Sequence, residues 1–206
     1  MSVEIEKKFL ISHNEAMWLT ENFPHHTIGI IQWYLDGVRD IQKSERIRLI
    51  LNKDGNKIWI KGKKECIDQN LIYRREEETP LDNDSIPIDE LRDFPFIIKL
   101  RSVFELPFQA EVVLDHFLDN PYCVYDVRDL LEIELKNNEV PLDKTVDQIL
   151  CFLKLHDLKD VSENFNYANH TIALRSMYIN GMKTNDVVVL TDFLRKEMRG
   201  DSVEKG

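Results

Sequence analysis

The chain has 206 residues, 43% hydrophobic and 31% charged, and its 27 Lys and Arg are outnumbered by 37 Asp and Glu to give a formal net charge of −10. That length suits one domain with a real core, alone or with a small helical appendage. The acidic balance argues against a nucleic-acid surface, which needs an excess of Lys and Arg, but it leaves room for a phosphate ligand in a locally basic pocket.

The first three-quarters of the sequence reads as strands. Val3–Ile11 alternates, with Glu4, Glu6 and Lys8 on one face and Val3, Ile5 and Phe9 on the other. Ser12-His13-Asn14-Glu15 has the form of a capping box and opens a short helix to about Glu21. Strands are then expected at Gly29–Leu35, Ser44–Leu51, Lys57–Lys64 and Leu71–Thr79, with a helical turn near Asp89–Asp93. Three more follow at Phe96–Glu105, Gln109–Phe117 and Leu130–Lys136. Short connectors with turn residues, Lys53-Asp54-Gly55-Asn56 among them, favour antiparallel pairing, and eight strands is a common number for closing a small barrel.

Past Pro141 the period becomes helical, through Val146, Ile149, Leu150 and Leu153. Further helices are expected over Tyr167–Met177 and from about Val187 to Met198, with a frayed end from Gly200. The fold class predicted is therefore α+β and mainly β. It comprises a closed eight-stranded antiparallel barrel with helices outside, a domain over residues 1–177 and a helical extension over 178–206. The segment after about Asp186 reads as polar and carries no motif, so its removal is expected to leave catalysis largely unchanged.

The opening residues lack a basic segment followed by an apolar one, which argues against a signal peptide. No apolar run approaches the roughly 20 residues needed to span a bilayer. The scattered Cys66, Cys123 and Cys151 fit neither a disulfide framework nor a zinc site and suggest a reducing, cytoplasmic setting. His25-His26 is expected in a loop and His116 is expected to point outward, in solvated or structural roles. Trp18, Trp33 and Trp59 read as packing residues.

The charges are the unusual feature. Residues two apart on a strand share a face, and at that spacing stand Glu4, Glu6 and Lys8; Arg46 and Arg48; Lys61 and Lys63; Arg74, Glu76 and Glu78; Lys99 and Arg101; Glu111 and Asp115; Glu132 and Glu134. The opposite faces are mostly apolar, as with Ile47 and Leu49 or Ile133 and Leu135. For one strand the ordinary reading is a solvated outer face with cross-strand ion pairs. Seven strands whose polar positions are dominated by ionisable groups of both signs favour a charged lumen instead. Converging Arg and Lys suit a polyphosphate, and converging carboxylates suit Mg²⁺ or Mn²⁺.

In order along the chain these residues resemble the signature of the CYTH family, the triphosphate tunnel metalloenzymes. Glu4-Ile5-Glu6-Lys7-Lys8 is similar to its E-x-E-x-K, Gln32-Trp33-Tyr34-Leu35 to its Q-x-Y-L, and Arg46-Ile47-Arg48 to its R-x-R. Lys61-Gly62, Arg74-Arg75-Glu76-Glu77-Glu78, Lys99-Leu100-Arg101, Leu114-Asp115-His116-Phe117, Glu132-Ile133-Glu134 and Tyr167-Ala168-Asn169 continue the series over residues 2–175. The chain departs from the family at Val113, where an acid is common and Glu111 is an offset substitute. It departs again at Asn166, where an Arg commonly precedes the late Tyr.

The resemblance implies an eight-stranded tunnel, a small-molecule triphosphate substrate and a divalent metal, Mg²⁺ or Mn²⁺. It implies Glu4, Glu6, Glu111, Asp115, Glu132 and Glu134 as metal ligands. Arg46, Arg48, Lys61, Lys63, Arg74, Lys99 and Arg101 would hold the phosphates, with Glu76 and Glu78 elsewhere in the tunnel. Glu4 and Glu6 would be catalytic, and Lys8 would orient or deprotonate water, or pair structurally with Glu4 or Glu6. Three functions remain open: hydrolysis of inorganic triphosphate; nucleotide or thiamine triphosphate chemistry, including cyclisation of ATP as in class IV-type adenylate cyclases; and polyphosphate binding without catalysis. Neither a nucleic acid nor a membrane is implied as partner, and a homodimer is compatible with the sequence.

Overall fold

A computed structural model describes residues 2–35, 42–67, 70–83, 86, 88–120, 122–135, 141–180 and 186–200. Eight strands close into an antiparallel barrel: β1 (Ser2–Leu10), β2 (His25–Tyr34), β3 (Lys43–Leu51), β4 (Lys57–Ile67), β5 (Asn70–Leu81), β6 (Phe96–Phe104), β7 (Glu111–Phe117) and β8 (Asp129–Leu135). Their order is β5-β4-β3-β2-β6-β7-β8-β1, and pairing of β1 with β5 closes the ring. Closure leaves none of the eight with an open edge. A two-residue strand, β9 (Lys159–Asp160), pairs with the end of β1 outside the ring, and no alternating pattern in the chain announces it.

Among the described residues five helices decorate the barrel: α1 (His13–Asn22), α2 (Ile88–Leu91), α3 (Leu142–Phe152), α4 (Asn169–Asn180) and α5 (Val187–Arg199). No helix among these residues is long and apolar enough to cross a membrane. The capping box at α1 forms as the sequence predicts, with Ser12 Oγ accepting from the Glu15 amide and Glu15 Oε2 accepting from the Ser12 amide at 3.0 Å. A 3₁₀ turn at Phe165–Tyr167 takes the place of the first residues expected in α4. The expected frayed end past Gly200 lies outside the described residues.

Two strand boundaries differ from expectation for a clear reason. β2 begins four residues early, because His25 to Ile28 pair with Phe104 to Arg101 of β6, which places His25 and His26 on a strand. β7 begins at Glu111 because its partner residues on β8 end at Glu134.

Apolar side chains pack in separate layers rather than one central core, since the centre of the barrel is charged. On one outer side Ile31, Trp33, Leu49 and Trp59 meet Leu190 and Leu194 of α5, with the Trp33 and Trp59 rings stacked at 5.8 Å. On another, Phe9, Leu114, Leu131 and Ile133 meet Ala16 and Leu19 of α1 and Val146 and Ile149 of α3. A third group fills one end of the ring: Tyr34, Ile97, Phe117 and Leu130 of the strands pack against Ile172 and Ala173 of α4.

The C-terminal segment is thus not uniformly polar. Val187, Leu190 and Leu194 are buried at helical spacing in a segment whose mean is polar, so averaging hid the stripe. Each such burial contributes roughly 1.5–3 kcal/mol. Gly29 of β2 makes the approach possible: a Cβ there would stand 2.6 Å from Met198 Sδ and 2.8 Å from Leu194 Cγ.

Candidate functional site

The lumen holds a cavity of about 270 Å³ to which all eight strands contribute. β1 supplies Glu4, Glu6 and Lys8; β2 Tyr34; β3 Ser44, Arg46 and Arg48; β4 Lys64; β5 Arg74, Glu76 and Glu78; β6 Arg101; β7 Glu111; β8 Glu132 and Glu134. Ala168, Asn169 and His170, at the start of α4, line it beside the apolar plug. Strand parity delivers these residues, because register partners face the same way: Arg46 opposes Gly62, Lys8 opposes Glu132, and Glu111 opposes Glu134.

Four residues expected at the site stand elsewhere. Lys61 and Lys63 lie on the outer face of β4. Lys61 there pairs with Glu45 at 2.6 Å, which draws the Glu45 carboxyl below its usual range, and Lys63 is exposed. The parity of β4 is set by Trp59, which buries itself outward against Trp33, so the inward positions are Ile60, Gly62 and Lys64. Ile58 and Ile60 suggested the opposite parity, and the larger apolar surface of the indole decides it. Gly62 gives Arg46 room, since a Cβ there would stand 3.0 Å from Arg46 Nε.

Asp115 and Lys99 are the other two. Asp115 is fully buried, bonded to Lys99 Nζ and to Arg101 Nε at 2.7 Å, and does not reach the cavity. Lys99 is likewise buried beneath the lining rather than on it. Burial pushes the Asp115 carboxyl up, but Arg101 and Lys99 together pull it far below its usual range. The Lys99 ammonium is drawn down to about 7 by burial and then by the Arg101 charge, against the pull of Asp115.

The remaining lumen is a web of ion pairs. Lys8 bridges Glu6 and Glu132, and Lys64 reaches Glu6 at 2.9 Å, Glu4 at 3.1 Å and Glu76 at 3.6 Å. Arg46 binds Glu76, Arg48 lies 3.2 Å from Glu78 and donates to Gln32 at 2.9 Å, and Arg101 lies 3.0 Å from Glu132. Burial raises the Glu6 carboxyl, but Lys64, Lys8 and Arg74 outweigh it and hold the group well below the ordinary carboxylate range. Burial lowers the Lys8 ammonium, yet Glu132 and Glu6 more than offset this and raise it, so Lys8 here is a firm cation and not a free base. Arg48 is pulled to about 9 by burial and by the charge of Arg46.

One side of the cavity remains short of positive charge. Glu134 is lifted to about 7, first by burial and then by the Glu4 carboxylate, with Glu6 and Glu111 adding to it. Glu4 Oε2 is buried 3.1 Å from the Lys64 ammonium without a well-oriented hydrogen bond. Among the described residues of the lining, six bases (Lys8, Arg46, Arg48, Lys64, Arg74, Arg101) face seven carboxylates (Glu4, Glu6, Glu76, Glu78, Glu111, Glu132, Glu134). An oxygen-only cluster with one member forced towards protonation is the environment a hard divalent cation relieves, so these residues fit Mg²⁺ or Mn²⁺. At the α4 side, His170 Nε2 and Asn169 Oδ1 are buried without hydrogen-bond partners. Burial, Arg74 and Lys8 push His170 down to about 4, leaving a neutral imidazole at that end.

Lys64, Ser44 and His170 were missed from the sequence. Counting parity from Trp59 and Gly62 would have found Lys64; nothing in the sequence marks His170, which arrives from a distant helix.

No family profile and no curated protein matches the sequence. Solved structures do. HpAC1 from Hippeastrum, described as a putative adenylyl cyclase with a dominant triphosphatase activity, superposes with a TM-score of 0.57 at 15% identity, over 90% of this chain and 100% of that one. The PH1819 protein of Pyrococcus horikoshii gives 0.56 at 20% identity, over 76% of this chain and 93% of that one. A conserved hypothetical protein from Pyrococcus furiosus gives 0.56 at 20%, over 76% and 94%. The chain shares the fold of these structures, a closed eight-stranded antiparallel barrel. The residues that line its tunnel are those of the resembling motifs on β1, β3, β5 and β8. On β4 and β7 the lining is displaced to Lys64 and Glu111.

Proposed function

We propose that the chain is a divalent-cation-dependent triphosphate hydrolase whose substrate is inorganic triphosphate, split to pyrophosphate and phosphate inside the tunnel. The observation that carries this reading is the convergence of bases and carboxylates from all eight strands on one polar cavity. The triphosphatase activity described for HpAC1, at the same fold, supports it.

Glu4, Glu6, Glu111, Glu132 and Glu134 would hold Mg²⁺ or Mn²⁺; Asp115, bound to Lys99 and Arg101, is removed from that set. Such a cation supplies charge neutralisation at phosphate oxygens and a more acidic bound water. Arg46, Arg48, Lys64, Arg74 and Arg101 would exchange carboxylate partners for phosphate oxygens, and charge stabilisation by fixed donors does most of the catalytic work in phosphoryl transfer. Lys8, a cation held between Glu6 and Glu132, orients those carboxylates. His170 and Asn169 offer polar atoms to the far end of the substrate. Five of the six carboxylates expected to hold a cation line the cavity despite Val113, with Glu111 standing opposite Glu134; this favours hydrolysis over binding alone.

Residues 1–177 would carry the activity, with 178–206 acting through stability. Cys66, Cys123 and Cys151 are joined in no disulfide, which supports a cytoplasmic location. The test is a phosphate-release and cyclic-nucleotide assay over triphosphate, ATP, GTP and thiamine triphosphate with Mg²⁺ and Mn²⁺. We expect kcat/KM for triphosphate to exceed that for ATP by about 100-fold, or ~2.7 kcal/mol, since ATP replaces one charged end with a nucleoside. Equal efficiencies, or cyclic AMP as the main product from ATP, would refute the reading.

A further inference from the structure

Outside the barrel three side chains meet with no part in the lumen. His13 opens α1, His116 lies on β7 and Asp129 opens β8. His116 and Asp129 are register partners, on the face opposite Glu132 and Glu134. His116 Nδ1 is 2.6 Å from Asp129 Oδ1 and His13 Nδ1 is 3.3 Å from Asp129 Oδ2, and one ligand atom from each residue lies within 4.8 Å of the other two. The Asp129 side chain is only 2% exposed, while those of His13 and His116 are 41% and 29% exposed. A buried carboxylate is therefore held at the floor of a partly open pair of imidazoles.

We propose that His13, His116 and Asp129 form a second cation site, for a borderline transition ion of the Zn²⁺ class, distinct from the oxygen-only cluster in the lumen. Two imidazole nitrogens and one carboxylate suit Zn²⁺ and Co²⁺, whereas Mg²⁺ prefers oxygen donors. Bonds of ~2.0–2.2 Å in a tetrahedral site set ligand atoms about 3.3 Å apart. The His13 contact has that spacing through Asp129 Oδ2 and the His116 contact falls less than 1 Å or so short of it through Oδ1, so the two carboxylate oxygens together present one ion to both imidazoles after small rotations about the His side-chain torsions. The exposed side leaves room for water as the remaining ligand. A cation beside the start of α1 works against the helix dipole, and the Asp129 charge offsets this. Bound there, the ion ties α1 to the β7–β8 pair and holds in place the helix that buries Ala16 and Leu19 against the barrel.

The experiment uses the full chain, freed of metal with EDTA and titrated separately with Zn²⁺, Co²⁺ and Mg²⁺ by calorimetry. Visible absorption of Co²⁺ and Tm are further readouts. The variants are His13→Ala and His116→Ala, with Glu134→Gln marking the lumen. His13 sits half-exposed at a helix start, so its variant folds even if His116→Ala does not. Expected are a Zn²⁺ affinity at least about tenfold weaker in His13→Ala and loss of the Co²⁺ bands and of the Zn²⁺-induced rise in Tm. The Zn²⁺ response should be retained in Glu134→Gln and Mg²⁺ binding unchanged in His13→Ala. Equal Zn²⁺ affinity and Tm response in the wild type and His13→Ala would overturn the proposal. So would the absence of Zn²⁺ binding, or its loss in Glu134→Gln, and the triad would then be a hydrogen-bonded clasp.

Discussion

Replacing Glu134 by Gln should stabilise the metal-free protein, and by an amount that depends on pH. The carboxyl is raised from an ordinary value near 4.5 to about 7 by burial and by Glu4, so the folded state keeps a proton that the unfolded chain has released. Stability follows 2.303RT times the difference in protons bound, unfolded minus native. That difference is negative between pH 4.5 and 7, so this group lowers stability as pH rises through the window. A displacement of about 2.5 units at ~1.36 kcal/mol each caps the effect near 3 kcal/mol, and relaxation around the charge brings it to roughly 2–3 kcal/mol. Gln resembles the protonated acid in shape. The variant should therefore come closest to the wild type below pH 4.5 and exceed it by about 2–3 kcal/mol at pH 8, roughly 5–10 °C in Tm for a chain of this size. Urea unfolding in EDTA at both pH values measures the gap directly. His170, pushed down to about 4, contributes the opposite slope between pH 4 and 6.5, so the difference between the two proteins is the quantity to follow. A gap that does not change with pH would refute the argument, because it would mean that Glu134 is ionised throughout.

Glu6→Gln should abolish turnover and also destabilise the fold by about 3 kcal/mol in urea unfolding, since Lys8, Lys64 and Arg74 lose their shared buried partner; Glu4→Gln should abolish turnover with little change in stability. Lys64→Ala should raise KM for triphosphate by about 10–100-fold while Lys61→Ala leaves steady-state kinetics unchanged, because only the former faces the lumen. Leu194→Ala should lower stability by about 3 kcal/mol, and truncation after Asp186 should lower Tm further and promote aggregation on heating, because both uncover Ile31, Trp33 and Leu49.

The barrel was legible because its charge pattern has a period of two on strand after strand, and a stripe such as Glu4, Glu6 and Lys8 has no place in an ordinary core. Where the reading failed, two apolar signals competed. On β4 the isoleucines at 58 and 60 argued for one face and Trp59 for the other, and only tertiary packing against Trp33 settles that choice. Asp115 sits at the inward parity expected of it, but parity gives no depth: Lys99 beneath the lining and Arg101 on it claim the carboxylate before a ligand can. The α5 stripe stood in the sequence at helical spacing but was lost in a polar average, whereas His170 depends on packing between segments far apart in the chain, which no local pattern encodes.

The near balance of six bases against seven carboxylates in the described lining has a kinetic consequence. A cavity so close to neutral, in a protein of net charge −10, projects no attractive field to draw a polyanion in from solution. On the proposed function, capture of a phosphate chain would be a trade of partners at short range, in which each phosphate oxygen taken up by Arg46 or Lys64 would displace Glu76 or Glu6. Association should consequently be slow relative to a steered encounter and should not weaken as ionic strength rises, because salt screens the repulsion of a net-negative protein for a polyanion. Anions with a single phosphoryl group, bringing too few oxygens to replace several carboxylates at once, should leave the latticework closed.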